Sequence, residues 1–174
     1  MTDFPSIPRG DHQAYMRLAL SLATQSPPRP TNFRVGAVLV DPPTNRILAT
    51  GYTLELEGNT HAEQCCLSKL ATARGVSEDA LGSTTPAGLD LYTTMEPCSV
   101  RLSGNVPCAQ RVVQAAPLVG TVYVGVMEPD RFVSENTGRG KLEGAGVRFV
   151  HVGGMEEEIL AVATAGHREE AGGA

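Results

Sequence analysis

The sequence has no tryptophan, and only four tyrosines and four phenylalanines in 174 residues. So few aromatic side chains leave little for stacking along a run of bases. Positive charge is also scarce. Fourteen Lys plus Arg against 19 Asp plus Glu give a net charge of -5. An acidic chain lacks the general footprint for phosphate backbones, so nucleic acid is not an expected partner. A local basic pocket for one small anion stays open. No apolar run approaches the roughly 20 residues that span a bilayer. The start, MTDFPSIPRG, has no basic segment leading into an apolar core. Neither a membrane nor a secretory signal is therefore expected, and the expected location is cytoplasmic. Cysteine is limited to Cys65, Cys66, Cys98 and Cys108. In a reducing compartment such thiols are core packing or metal ligands more often than disulfides.

What is present suffices for one folded domain. Apolar residues make up 41% and charged residues 19%, which supports a sizeable core and excludes global disorder. The length fits a single domain over 1–174, with 1–10 and 167–174 expected to be flexible. Asp11 is placed to cap a helix whose apolar positions Tyr15, Leu18, Ala19 and Leu22 recur at helical spacing, and SPPRP at 26–30 must end it. VGAVLV (35–40) and RILATGY (46–52), separated by the turn DPPTN, predict a hairpin. Helices are expected at 61–74, 106–116 and 155–165, and strands at 89–95, 121–126 and 147–152. Gly75 should stop the first of those helices. Residues 76–89 read as loop with one helical turn. A long loop from 128 leads into a short helical stretch before 147. After the hairpin, strands and helices alternate. That order predicts one sheet with helices on both faces and parallel pairing in its second half.

Three short segments carry chemistry: His61-Ala62-Glu63, Glu96-Pro97-Cys98 and Pro107-Cys108. His61 and Cys108 stand at expected helix starts, where unpaired N–H groups favour thiolate over thiol. One imidazole and two thiolates would leave a fourth tetrahedral position of a zinc ion open, the mark of a catalytic site. Glu63 lies two residues past the histidine, close to such an ion without binding it. A carboxylate there can move a proton from water to a nitrogen leaving group. The bland alternative is two buried core thiols beside an unremarkable HAE tripeptide. The joint occurrence of all three segments favours the metal. Cys65 and Cys66 fall inside the helix after the ligand, where small thiols pack well, and are read as structural.

At these residues the chain resembles the cytidine-deaminase superfamily, which combines a histidine, a non-ligating glutamate and two cysteines. The similarity runs from about residue 12 to about residue 153. The string YTTMEPCSVRLSGNVPCAQRV (92–112) looks like the fungal-type pyrimidine deaminase of riboflavin biosynthesis. NFRVGAVLVD (32–41) and GRGKLEGAGVRF (138–149) resemble the first strand and the closing helix and strand of such domains. The resemblance implies a three-layer α/β/α sandwich with a mixed five-stranded sheet, a bound Zn2+ held by His61, Cys98 and Cys108, and Glu63 as the catalytic carboxylate. It implies a free-standing, homodimeric hydrolase acting on a small phosphorylated pyrimidine, the ribitylamino-diaminopyrimidinone 5′-phosphate. Two departures stand out. The cysteines are separated by a long spacer rather than the two residues of most members, and Ser99-Val100-Arg101 replaces the histidine that follows the first cysteine in bacterial relatives. A polar spacer pinned by ligands at both ends must lie over the site. Arg101, Ser103 and Asn105 are therefore substrate candidates, with Asn32 beside the first strand. Arg101 is also a candidate for bidentate pairing with the phosphate, and Arg139 and Lys141 are a second phosphate candidate. Competing readings are a cytidine, deoxycytidylate or nucleobase deaminase and, in a different class, a non-catalytic zinc-stabilised binding module. The intact Glu63 argues against the last.

Overall fold

The computed structural model describes residues 3–127 and 137–167. The expected tail from 168 and most of the long loop after 127 lie outside these residues. The helices are α1 (His12–Ala23), α2 (Ala62–Arg74), α3 (Cys108–Gln114), α4 (Gly138–Gly144) and α5 (Glu156–Ala163). The strands are β1 (Gly36–Asp41), β2 (Arg46–Tyr52), β3 (Leu89–Met95), β4 (Val119–Val126) and β5 (Arg148–His151). They form one sheet in the order β2-β1-β3-β4-β5. β1 pairs antiparallel with β2 and with β3, whereas β3–β4 and β4–β5 are parallel. The expected three-layer arrangement and the mixed sheet are both present.

Alternation along the strands sorts the core into two layers. Ala37, Leu39, Leu91, Val122 and Val124 face α2, α3 and α4. Val38, Val40, Tyr92 and Tyr123 face α1 and α5, where they meet Tyr15, Met16 and Ile159. Local signals set most boundaries. Asp11 accepts a hydrogen bond from Ala14 N (2.9 Å) and starts α1. Gly75, at φ 67, ends α2 in the left-handed conformation. Residues 78–83 form a turn of tighter 3-10 helix inside the expected loop. The helix expected at 106–116 is shorter, because Pro107 keeps an extended ψ of 149 and Cys108 becomes the first helical residue.

Two glycines bring helices close enough to build the site. A Cβ on Gly51 of β2 would lie 2.2 Å from Ala62 O, so glycine lets the start of α2 sit directly on the strand. A Cβ on Gly138 would lie 2.3 Å from Pro97 O, so α4 backs the turn that carries Cys98. Among the described residues, no helix is long and apolar enough to cross a membrane.

Candidate metal centre and active site

The site lies at the carboxyl ends of β3 and β4, where open α/β sheets place their ligands. Met95 and Glu96 at the end of β3, and Val126 and Met127 at the end of β4, line a cleft of about 730 Å³ together with His61, Glu63 and Cys98. The start of α2 delivers His61 and Glu63. The exit from β3 delivers Cys98, and the start of α3 delivers Cys108.

His61, Cys98 and Cys108 converge although they are far apart in sequence. His61 Nδ1 is 3.6 Å from Cys98 Sγ and 3.4 Å from Cys108 Sγ. Tetrahedral zinc with Zn–S near 2.3 Å and Zn–N near 2.05 Å places such donors about 3.5 Å apart. The donor set and its spacing therefore fit zinc, with three protein ligands and one position open. The backbone N–H of Cys108 donates to Cys98 Sγ (3.3 Å), orienting the sulfur and stabilising negative charge on it. The two thiols differ in acidity. The hydrogen bond from the Cys108 thiol holds Cys98 well below the ordinary thiol range. The same contact, then burial, pushes Cys108 up. A bound divalent cation would favour thiolate at both.

Glu63 is 4% exposed. Burial pushes its carboxyl above the ordinary carboxylate range, partly opposed by backbone hydrogen bonding. Its Oε1 accepts a hydrogen bond from Thr93 Oγ1 at 2.9 Å. A carboxylate so placed, beside the donor set and on the cleft wall, is equipped to exchange protons.

The expected substrate residues divide. Asn32, Arg101 and Ser103 line the cleft. Asn105 is exposed and outside the lining; its N–H donates to Ser103 Oγ (3.4 Å) in a local turn. Arg101 is buried and engaged with the protein. Its Nη1 donates to Gln64 Oε1 (2.9 Å) and Val106 O (3.5 Å), its Nη2 donates to Asn59 O, and its Nε has no hydrogen-bond partner. Gln64 Oε1 also accepts from His61 N (3.3 Å), so the guanidinium ties the spacer loop to the backbone of a metal ligand. Arg139 pairs with Glu143 and stacks over Phe149, and Lys141 donates to Ser99 O; neither lines the cleft. Cys65 and Cys66 are fully buried, Cys66 within the core between the sheet and α2.

Sequence reasoning missed Thr93, Gln64, Asn59 and the cleft-lining Phe33 and Leu160. The alternation of β3 put Thr93 on the α2 face, but it did not single out a partner for the hydroxyl. His167, at the start of the tail expected to be flexible, is half-buried. Its Nε2 is 3.0 Å from Asn32 O, and its ring meets Phe33 edge-on at 4.8 Å. The end of the described chain thereby braces one wall of the cleft.

An α/β/α domain with an open His–Cys–Cys donor set and an adjacent carboxylate is a metalloprotein built around a zinc site of the catalytic type. The chain belongs to the family described as the cytidine and deoxycytidylate deaminase zinc-binding region, whose model matches residues 9–126. It is similar to the diaminohydroxyphosphoribosylamino-pyrimidine deaminase of Schizosaccharomyces pombe, at 37% identity over 157 residues, covering 90% of this chain and 36% of that protein. It is similar to the riboflavin biosynthesis protein RibD of Aquifex aeolicus, at 35% identity, covering 83% of this chain and 35% of that protein. The chain thus spans about a third of the length of these curated relatives. Among solved structures, the Aspergillus oryzae Rib2 deaminase, a C-terminal deletion mutant, matches with a TM-score of 0.81 at 47% identity, over 90% of this chain and 92% of that one. A second structure of that deaminase, in complex with DARIPP, matches equally.

Proposed function

We propose that the chain is a zinc-dependent aminohydrolase of riboflavin biosynthesis. It converts 2,5-diamino-6-ribitylamino-4(3H)-pyrimidinone 5′-phosphate and water to 5-amino-6-ribitylamino-2,4(1H,3H)-pyrimidinedione 5′-phosphate and ammonia. The observation that carries this reading is the placement of Glu63 beside the His61–Cys98–Cys108 donors on the wall of one cleft. Zinc held by His61, Cys98 and Cys108 would supply a water of lowered pKa. Glu63 takes the proton released when water adds to the amine-bearing carbon. It delivers the proton to the adjacent ring nitrogen and then assists departure of the amine as ammonia. Asn32 and Ser103 offer hydrogen bonds to the polyol, and Arg101 is the one Lys or Arg side chain among the described residues lining the cleft. It supplies positive potential for the phosphate end. The names of the relatives support the pyrimidine substrate and the pathway. We place it in the cytoplasm, which its biosynthetic relatives support, and assign it the homodimer that the superfamily resemblance implies; the charge of -5 supports a small-molecule partner over nucleic acid.

Ammonia release from the ribityl phosphate, its ribosyl counterpart, cytidine and deoxycytidylate tests the reading. The ribityl phosphate is expected to give the highest kcat/KM. A site built to hydrogen-bond an open polyol loses roughly 1–3 kcal/mol for each group left unpaired by the wrong sugar. Equal or faster turnover of the ribosyl form, the form named in the Schizosaccharomyces relative, would overturn the ribityl assignment but keep the pyrimidine deaminase. A preference for cytidine or deoxycytidylate would overturn the pathway as well. No ammonia from any of them would point to a binding module.

A further inference from the structure

We propose that Thr93 is the positioning residue for the Glu63 carboxylate, a role that rests on Glu63 being the proton carrier. Thr93 sits on the α2-facing side of β3 and has no solvent exposure. Its Oγ1 lies 2.9 Å from Glu63 Oε1 and 3.0 Å from Met95 O. A hydroxyl has one hydrogen and two acceptors compete for it. A charge-assisted hydrogen bond to carboxylate is the stronger of the two. The donation therefore goes to Glu63, and the carbonyl two residues along the same strand holds the hydroxyl in register as its alternative acceptor. Oε1 is then committed to the protein, and the other carboxylate oxygen is the one presented to the reacting atoms.

The placement is rigid for two reasons. Thr93 is β-branched, so its χ1 has few options inside a strand. β3 is a central strand, hydrogen-bonded to β1 on one side and β4 on the other. Met95, two residues on, and Cys98, five residues on, both line the cleft. One strand thus fixes the carboxylate and runs directly into the turn that carries Cys98, so the proton carrier and the candidate metal donors keep a common frame. Glu63 has the opposite problem. Its long side chain springs from the first turn of α2, and although burial and backbone hydrogen bonding restrain it, more than one orientation of the carboxylate is open to it without the Thr93 hydroxyl. A displacement of about 1 Å in such a group can cost roughly a hundredfold in rate.

The test compares zinc-loaded wild type with Thr93→Val, which keeps the shape and deletes the hydroxyl, Thr93→Ser, which restores it, and Thr93→Ala as a second hydroxyl-free variant. The expectation for Thr93→Val and Thr93→Ala is kcat reduced about 10- to 100-fold with KM within about threefold, while Thr93→Ser stays near wild type. Added to Glu63→Gln, Thr93→Val should cause no further loss. A merely structural threonine would change the yield of folded protein and leave kcat per folded, zinc-loaded molecule intact. Crystal structures of the variants give a readout independent of turnover. The Glu63 carboxylate should move or split in Thr93→Val and keep its place in Thr93→Ser. An unmoved carboxylate, or wild-type kcat in Thr93→Val, overturns the proposal. If the wild type deaminates none of the pyrimidines, the functional reading has failed, and the crystal comparison still decides whether Thr93 positions Glu63.

Discussion

Arg101→Ala separates two roles for the most heavily engaged side chain of the spacer loop. As a phosphate ligand alone, Arg101 would affect only KM for phosphorylated substrate. The structure shows it holding Gln64 Oε1, Asn59 O and Val106 O from a site only 8% exposed. Truncation leaves Gln64 Oε1 and Asn59 O without their charged donor, whereas Val106 O keeps the Arg111 guanidinium, whose Nε donates to it at 3.2 Å. Hydrogen bonds to charged groups contribute about 1.5–3 kcal/mol each, but water entering the vacated space restores part of that, and loss of the unpaired Nε is itself favourable. A net loss of about 2–4 kcal/mol is expected. For a chain of this size, at roughly 2–4 °C per kcal/mol, Tm should fall by roughly 4–16 °C. Because Gln64 also accepts from His61 N, zinc should be stripped faster by a chelator. Arg101→Lys should recover little, since a point charge cannot serve three acceptors on diverging arms. The assay is thermal unfolding of zinc-loaded protein, paired with the rate of zinc loss to chelator and with KM. A Tm within about 1 °C of wild type and unchanged zinc loss would refute the clasp, and a raised KM alone would return Arg101 to the phosphate.

Glu63→Gln is expected to keep fold and about one zinc per chain while losing a factor of roughly 10² to 10⁴ or more in kcat, since the amide cannot carry a proton; metal analysis with steady-state kinetics checks both, and Cys98→Ala with Cys108→Ala should lose the metal instead. Gly51→Ala drives a methyl to 2.2 Å from Ala62 O, 3.0 Å from Cys65 Cβ and 3.1 Å from Cys66 N. It should push α2 off β2, carrying His61 and Glu63 out of place, so that zinc binding and turnover fall together with Tm. Wild-type zinc content in folded Gly51→Ala protein would show that the start of α2 can yield without disturbing the centre.

The local part of this protein is written in its sequence. Asp11, Gly75 and the prolines at 27, 28 and 30 set helix ends through short-range sterics and capping. The alternation in β1 and β3 sets which side chains face which layer. The convergent His61, Cys98 and Cys108 donors and the neighbouring Glu63 were legible for the same reason: a His and a Glu two apart at a helix start, and a proline–cysteine pair at each end of a spacer, are constrained by chemistry to few residue types. The tertiary structure decided what depends on long-range approach. It turned Arg101 inward onto residues 59 and 64, left Asn105 outside the cleft, and laid His167 against Asn32 and Phe33. It also set the Thr93 hydroxyl against Glu63. None of these pairs has a spacing rule. The Arg101 and Thr93 contacts exist because α2 packs on the sheet through Gly51 and the spacer loop packs over the start of α2, and the His167 contact exists because the end of α5 lies against the segment before β1, where Arg34 N donates to Ala163 O.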